Sequence, residues 1–361
     1  MKKKYYITTP IYYPSAKPHM GHAYSSISAD FIARYKRLEG YDVTFVTGTD
    51  EHGQKIQKSA DKRKLSPDIF CNEISKVFLD LTKTLNLSNT DFIRTTEIRH
   101  HKTVQKLWNI LEEKKFIYLS KYSGWYSVSD EAFYTESEII EKDNIKLCEA
   151  SGSVVEWVEE ESYFFKLSEF QNLLIKHYED NPEFIQPSSR RNEVMSFVKG
   201  GLNDLSISRN SFKWGIPVPN SKDHIVYVWL DALTNYLTAT NYFDDNFSWP
   251  ADVHIIGKDI LRFHAVYWPA FLLAAEIPLP KKIFGHGWIL SGDEKMSKSK
   301  GNILDPIEIV NEFGLDEIRY YLMKEVMYGL DGNINIDNLK NCINSDLANN
   351  IGNLSQRIFV L

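Results

Sequence analysis

The first third of the chain alternates between short apolar runs and helical periodicities. The run YYITTPIYY (residues 5–13) is rich in aromatic and β-branched residues, which predicts a buried strand. Apolar residues then recur at helical spacing between residues 27 and 35. YDVTFVTGTDEHG (residues 41–53) predicts a second strand that leads into a helix, and TDFIRTT (residues 90–96) precedes a helical stretch over residues 97–115. Strand and helix in alternation predict an α/β fold with a parallel sheet.

The pattern changes at about Phe116, where short aromatic-rich stretches are typical of antiparallel strands. The buried pattern returns near Tyr227, and three apolar runs predict later strands and switch loops of the first sheet, at residues 225–233, 252–260 and 281–290. After about Pro306 the chain is predicted to be helical to its end. The predicted fold class is therefore α/β, a parallel sheet interrupted by an antiparallel insertion at residues 116–224 and followed by helices.

Composition narrows the class of protein. Hydrophobic residues make up 43% and charged residues 25% of the 361 positions, which is typical of globular domains. The net charge of −6 argues against nonspecific nucleic-acid binding. Residues 129–161 carry eleven acidic and two basic side chains, and such a run predicts a solvated face.

Location and redox state follow from what the sequence lacks. It contains no apolar run of about 18 residues, so we expect no membrane span. The first residues carry lysines but no apolar core, so we expect no secretory leader. The cysteines, Cys71, Cys148 and Cys342, are odd in number and far apart, which predicts free thiols and a cytoplasmic protein.

Two histidines, His19 and His22, flank Gly21 where the first predicted strand passes into a helix. Three interpretations compete: half of a metal site, an ordinary helix cap, and a cradle for phosphate. A helix N-terminus offers free N–H groups and a positive dipole end, and glycine allows close approach of a ligand. The residues alone leave all three open.

The segment SGDEKMSKSKGN (residues 291–302) places three lysines among small polar residues. A solvated basic loop is one interpretation. A lysine clamp on a triphosphate is the other, because lysine is a flexible point charge and the glycines permit hinge motion.

Together, HMGH (residues 19–22) and KMSKS (residues 295–299) resemble the paired signatures of class I aminoacyl-tRNA synthetases. The flanking segments TTPIYYPSAKPHMGHAY, FVTGTDEHGQKI, VYVWLDALTNY, HIIGKDILRFHAVYWPAFL and GHGWILSGDEKMSKSKGN are similar to those of methionyl-tRNA synthetases. The resemblance covers nearly the whole chain. It implies a Rossmann-type catalytic domain in which ATP with Mg²⁺ converts L-methionine to methionyl-adenylate, followed by transfer to tRNA(Met).

The resemblance also assigns regions and residues. It implies a catalytic domain at residues 1–115 and 225–305, a connective insertion at 116–224, a stem-contact region at 306–337 and the start of a helical anticodon-binding domain at 338–361. It implies that ATP is bound by His19, Gly21, His22, Gly257, Asp259, Lys295 and Lys298. Catalysis is assigned within that set to His19, His22, Lys295 and Lys298.

Asp50 matches the carboxylate that pairs with the methionine ammonium group in the family. The other residues that match the lining of the methionine pocket are Ile11, Tyr13, Trp229, Ala232, Leu233, Tyr236, Ile260 and His264. Aromatic rings suit a thioether, which contacts them favourably. Leu233 departs from the family, since many relatives have proline there, and we expect a small change in pocket shape.

The insertion at residues 116–224 differs from the family more strongly than the methionine pocket does. One-knuckle relatives carry zinc ligands at the positions of Ser127, Asp130, Cys148 and Ser151, of which only Cys148 is a soft ligand. We therefore expect no structural zinc.

Near the C-terminus, Asn349, Asn353 and Arg357 are four residues apart and match residues that read the anticodon in relatives. A polar solvent face is the alternative interpretation. The family's further helices would follow Leu361, so we expect a chain truncated at its C-terminus.

Two other functions remain open at this point. A nucleotidyltransferase with the HxGH signature would activate a small acid without tRNA, and a non-catalytic relative would bind tRNA only. Because the insertion is too short for a large separate editing domain, we expect homocysteine to be corrected in the synthetic site.

Overall fold

The computed structural model describes residues 2–142, 144–245, 248–291, 294–295 and 304–360. Its strands are β1 (Lys4–Tyr12), β2 (Asp42–Thr49), β3 (Asp91–Arg94), β4 (Ile117–Ser127), β5 (Ala132–Tyr134), β6 (Ile139–Lys142), β7 (Ile145–Cys148), β8 (Glu156–Phe165), β9 (Ile185–Gln186), β10 (Leu205–Ser206), β11 (Ser208–Arg209), β12 (Ile225–Val226), β13 (Val253–Gly257), β14 (Ile283–His286), β15 (Ile289–Ser291), β16 (Glu294–Lys295) and β17 (Gly332–Ile334).

Its α-helices are α1 (Met20–Leu38), α2 (Gln54–Lys62), α3 (Pro67–Thr84), α4 (Ile98–Glu113), α5 (Gln171–Asp180), α6 (Ser188–Lys199), α7 (Val228–Thr238), α8 (Tyr242–Asp245), α9 (Trp268–Ala274), α10 (Pro306–Phe313), α11 (Leu315–Glu325), α12 (Ile336–Cys342) and α13 (Asn353–Phe359). Short 3₁₀ segments lie at Glu136–Glu138, Leu167–Phe170 and Lys258–Ile260. π-Helical segments lie at Phe263–Tyr267 and Ile343–Gly352.

The main sheet has six strands in the order β3-β2-β1-β13-β14-β9, and every neighbouring pair is parallel. The chain extends to one side of β1 through β2 and β3, and to the other side through β13 and β14. In open parallel sheets, ligands bind at the carboxyl ends of the strands where this order reverses. The predicted α/β fold with a Rossmann-type parallel sheet is confirmed.

The middle of the chain forms the predicted antiparallel structure. Strands β4 and β8 pair along ten positions, and a four-stranded sheet has the order β10-β8-β4-β5. The chain then returns to the main sheet, where β9 pairs with β14 at the edge. The sequence did not predict this return, because a two-residue strand has no periodicity to read.

The prediction of a strand at residues 225–233 is wrong. Only Ile225–Val226 is a strand, and it pairs with β11 outside the main sheet. Residues 228–238 form α7, which is almost wholly buried between α4 and the main sheet. A helix buried on all sides and a buried strand both show a continuous apolar run, so periodicity could not separate them.

The C-terminal region is mostly helical, as predicted, but β17 interrupts it and pairs with β15. Its helices α10 to α12 share a core with α1, and the buried cluster between them includes Met20, Tyr24, Ile27, Leu322 and Leu339. This packing fixes α1, whose first turn carries the histidine signature. None of the described helices is long and apolar enough to span a membrane.

Candidate active site

The histidine signature caps α1. His19 is the N-cap residue, and its Nδ1 accepts a hydrogen bond from the Gly21 N–H at 3.1 Å. In return, the His19 N–H donates to Nδ1 of His22 at 3.0 Å. A side chain at position 21 would lie 2.8 Å from the His19 ring, so this cap requires glycine.

The cap also fixes the tautomers of both rings. Because each Nδ1 accepts a backbone N–H, each ring carries its hydrogen on Nε2. Burial, together with the neighbouring His19, lowers the pKa of His22 well below its usual value, so His22 is neutral. The His22 ring packs against Tyr12 and Phe78. The capping interpretation is therefore correct, and the same geometry keeps a donor on Nε2 that suits a phosphate oxygen.

The carboxyl ends of β13 and β14 lie at the same edge of the main sheet as the histidine signature. Gly257 ends β13, and a side chain there would meet Asp259 Oδ1 at 2.6 Å. Asp259 accepts a hydrogen bond from Trp288 Nε1 at 3.2 Å. The predicted pair Gly257 and Asp259 is thus brought together beside β1.

His286, at the end of β14, was not singled out by sequence reasoning. Its Nδ1 donates to the Gly287 carbonyl at 2.7 Å, so its Nε2 accepts from the Ser25 hydroxyl at 2.7 Å. This bond joins β14 to the first turn of α1. The segment GHGW contained the only signal for it.

The predicted methionine pocket lies at α7 and the π-helical turn. Trp229 stacks on Phe263 with ring centroids 3.6 Å apart. His264 Nδ1 donates to the Ile260 carbonyl at 3.0 Å, so its Nε2 accepts from the Tyr236 hydroxyl at 2.7 Å. Burial lowers the pKa of His264 to about 4, so this ring is neutral at physiological pH.

Other predicted lining residues lie on the same elements. Ala232 and Leu233 are buried on α7, and Ile11 and Tyr13 lie at the end of β1. Phe263 was missed, since a single aromatic residue in an apolar segment is usually core.

Asp50 follows β2 and is only 7% exposed. Its Oδ1 is buried without a hydrogen-bond partner among the described residues. Burial, and then the nearby carboxylates of Asp231 and Glu131, raise the pKa of Asp50 well above its usual value. A buried carboxylate in this state is suited to a cationic partner.

Asp231 has the opposite environment. Its carboxylate accepts from His52 Nδ1 at 2.6 Å and from His100 Nε2 at 2.8 Å, and all three side chains are buried. Burial alone would raise the pKa of Asp231, but His52 and His100 lower it to about 2. The sequence did not predict this network, because its members are 131 and 179 positions apart.

Comparison with known proteins decides the family. The family model described as tRNA synthetases class I (M) matches residues 5–359. The chain belongs to the methionyl-tRNA synthetase family. The predicted enzyme class, a class I methionine–tRNA ligase, is confirmed.

Individual relatives agree with this family. The methionine–tRNA ligase of Rickettsia conorii is 55% identical over 361 residues, covering 99% of this chain and 70% of that protein. That of Rhizobium meliloti is 55% identical over 359 residues, covering 98% and 69%. The chain thus spans about 70% of their length.

Among solved structures, methionyl-tRNA synthetase of Mycobacterium tuberculosis in complex with methionyl-adenylate superposes with a TM-score of 0.97 at 51% identity, covering 98% of this chain and 71% of that one. The ligand-free form of the mycobacterial enzyme gives a TM-score of 0.86 at 48% identity, covering 99% and 68%.

Of the two signature lysines Lys295 and Lys298, only Lys295 lies among the described residues. The backbone of Lys295 belongs to β16, where it pairs with Leu290 of β15. Lys298 lies outside the described residues. Their role in ATP binding stays a prediction.

The positions that match zinc ligands of one-knuckle synthetases lie in one turn region of the insertion. Asp130 accepts hydrogen bonds from the hydroxyls of Ser151 at 2.6 Å, Ser153 at 2.8 Å and Tyr134 at 2.9 Å. Cys148 is a buried free thiol. Across the described ranges, no group of three or more His, Cys, Asp or Glu residues could hold a metal ion.

The residues matched to anticodon reading lie on the last helical stretch and are exposed. Asn349 belongs to the π-helical segment Ile343–Gly352, whereas Asn353 and Arg357 belong to α13. The sequence predicted helix here but not its π-helical form, in which each turn contains more residues than in an α-helix.

Proposed function

We propose that the chain activates L-methionine with ATP at the carboxyl edge of the main sheet and then transfers the methionyl group to tRNA(Met). The observation that carries this proposal is Asp50, a buried carboxylate whose Oδ1 has no hydrogen-bond partner in the part of the chain that the structure describes. The mycobacterial relative in complex with methionyl-adenylate, the product of the first step, supports it.

Asp50 pairs with the substrate ammonium group, which stabilises the ionised form of a carboxylate that burial otherwise disfavours. The thioether contacts the rings of Trp229 and Tyr236. The pocket walls are rigid because Tyr236 is bonded to His264 and Trp229 is stacked on Phe263. Ile11, Tyr13, Ala232, Leu233 and Ile260 complete the lining.

The methionine carboxylate oxygen attacks the α-phosphorus of ATP, a new P–O bond forms, and the bond to pyrophosphate breaks. His19 and His22 donate from Nε2 to phosphate oxygens that gain charge in this step. Gly21, Gly257 and Asp259 hold the nucleotide, and Lys295 and Lys298 meet the charge of the leaving pyrophosphate. No protein nucleophile is needed, so catalysis consists of positioning and charge stabilisation.

Mg²⁺ enters on the triphosphate as part of the substrate. This assignment fits the histidine signature, because the Nδ1 atoms of His19 and His22 already accept backbone N–H groups. Asn349, Asn353 and Arg357 are proposed to contact the anticodon. The regions assigned above to catalysis, insertion, stem contact and anticodon binding are part of the same proposal.

Methionine-dependent exchange of pyrophosphate into ATP tests the first step. We expect exchange with methionine and none with unrelated amino acids. Lys298→Ala should lower the exchange rate by about 10²-fold while methionine affinity stays close to wild type, because the lysine meets charge that develops in the transition state. An equal loss in both quantities would contradict that role.

We further propose that homocysteine is activated and then corrected in the same site. It lacks only the terminal methyl group, which an apolar pocket discriminates by a factor of about 10–200. Incubation of enzyme, ATP and homocysteine should release homocysteine thiolactone. Absence of homocysteine-dependent ATP consumption would refute this part of the proposal alone.

A further inference from the structure

Most of the described acidic side chains at residues 129–161 are at least partly exposed, but two are buried. Glu160 is paired with Arg209 inside the insertion, whereas Glu131 has partners outside it. Glu131 lies in the turn between β4 and β5 and is only 5% exposed. Its φ of 48° places it in the left-handed region, as befits a tight turn. A buried carboxylate within a predicted solvated face requires a specific reason.

The Glu131 carboxylate reaches out of the insertion into the catalytic domain. Its Oε1 accepts from the Tyr13 hydroxyl at 3.1 Å and from the Lys55 backbone N–H at 2.8 Å. Its Oε2 accepts from the hydroxyl of Tyr126 in β4. One side chain thus joins the end of β1, the start of α2 and the insertion itself.

The backbone carbonyl of Glu131 accepts hydrogen bonds from a fourth element, the start of α7. It accepts from Tyr227 Oη at 2.7 Å and from Trp229 Nε1 at 3.2 Å, both at the start of α7. Tyr13 and Trp229, which the proposed function assigns to the methionine pocket, are therefore both bonded to the same insertion residue.

The loop that carries Asp50 is also packed against Glu131. A side chain added at Gly53 would lie 2.8 Å from Glu131 Oε1 and 2.8 Å from the Tyr13 hydroxyl. Gly53 itself has a φ of 106°, which favours glycine. The segment from Asp50 to Lys55 therefore packs against the Glu131 carboxylate.

We propose that Glu131 is a positioning residue for the methionine site, through which the insertion fixes Tyr13, Trp229 and the Asp50 loop. This inference rests on the proposed function. Charge-assisted bonds to a buried carboxylate are strong and directional, so Glu131 restricts the pocket walls before methionine arrives. It does not touch the reacting atoms, so it acts on methionine affinity and not on the chemical step.

Its neighbour Asp130 provides a matched control. Both residues lie in the same turn and each accepts three side-chain or backbone donors. Among the described residues, the Asp130 carboxylate accepts hydrogen bonds from the insertion alone, namely from Tyr134, Ser151 and Ser153. A substitution at Asp130 loosens the turn without removing a contact to the pocket.

The experiment measures KM for methionine, KM for ATP and kcat in pyrophosphate exchange for the wild type, Glu131→Ala, Glu131→Gln and Asp130→Asn. We expect Glu131→Ala to raise KM for methionine about tenfold, because one of its three lost bonds, the bond to Tyr13, holds a pocket wall. KM for ATP and kcat should be nearly unchanged. Glu131→Gln keeps an oxygen that can accept from Tyr13, so its effect should be smaller. Asp130→Asn should leave all three parameters at wild-type values.

A double variant ties the effect to Tyr13. We expect Tyr13→Phe with Glu131→Ala to raise KM by less than the product of the two single effects, because both remove the same bond. An unchanged methionine KM in Glu131→Ala, or an equal rise in Asp130→Asn, would overturn the inference. A wild-type chain without methionine-dependent exchange would instead overturn the proposed function.

Discussion

The proposed methionine pocket and the turn around Asp130 contain aspartates in opposite environments. Asp50 is buried and keeps one oxygen without a partner among the described residues, whereas Asp130 is partly exposed and accepts three hydroxyl donors. Buried acceptors are nearly always satisfied in folded proteins. The unpaired oxygen of Asp50 therefore supports the proposal that a ligand binds there, whereas the hydrogen bonds of Asp130 are typical of a structural element.

The largest effect is expected from Asp50→Asn, which removes the charge and keeps the shape. Loss of one partner of a buried ion pair costs about 4 kcal/mol, or about 10³-fold in kcat/KM for methionine. The free protein should gain stability, because the raised pKa of Asp50 means that its ionised form opposes folding at neutral pH.

Pyrophosphate exchange and thermal unfolding, measured on the same preparation, check both signs. A variant that loses activity together with stability would indicate a structural aspartate like Asp130. Glu51→Gln is not a suitable control, since Glu51 is bonded to Arg94. Asp130→Asn serves that purpose, with activity retained.

Asp231→Asn tests a carboxylate that is as buried as Asp50 but fully paired. The pKa of Asp231 is about 2 in the folded protein, compared with the ordinary value of 3.8 for an aspartate. This difference corresponds to about 2 kcal/mol of folding stability. Because the folded pKa lies below the unfolded value, this stability is present above about pH 4 and is lost as the pH falls towards 2.

Denaturant unfolding at several pH values measures the difference between wild type and Asp231→Asn. We expect about 2 kcal/mol at pH 7 and a shrinking difference below pH 4. A difference that does not depend on pH would mean that His52 and His100 do not set the charge state of Asp231.

The sequence was sufficient for the elements whose pattern is local. Strand and helix alternation predicted the main sheet, and the histidine signature lies where it was expected, between the first strand and the first helix. Local patterns could not reveal α7, which is buried on nearly all sides, or the pairing of β9 with β14. They also could not reveal the bond from Glu131 to Tyr13, since 118 positions separate the two residues.

Glu131 illustrates a more general difficulty. Its described acidic neighbours are mostly exposed, so the interpretation as a solvated face holds for most of the run and fails for Glu131 and for Glu160, which is paired with Arg209. Charge composition averages over a segment, whereas burial is decided residue by residue through the turn geometry of β4 and β5.

The smallest effect is expected at the Asp130 turn, and it concerns metal. We expect the purified chain to hold no stoichiometric zinc, and a chelator to leave its thermal midpoint unchanged, because three of the four matching positions carry oxygen ligands that bind zinc poorly in structural sites. Asp130→Asn should lower the free energy of unfolding by only about 1 kcal/mol, since an amide oxygen still accepts from the hydroxyls.

The combined substitutions Ser127→Cys, Asp130→Cys and Ser151→Cys, together with Cys148, should create a four-cysteine set. That variant should bind zinc, and its thermal midpoint should become sensitive to a chelator, while KM for methionine stays at the wild-type value. Elemental analysis that finds about one zinc per wild-type chain would show that the turn is not complete in itself, and the contrast with the methionine pocket would then fail.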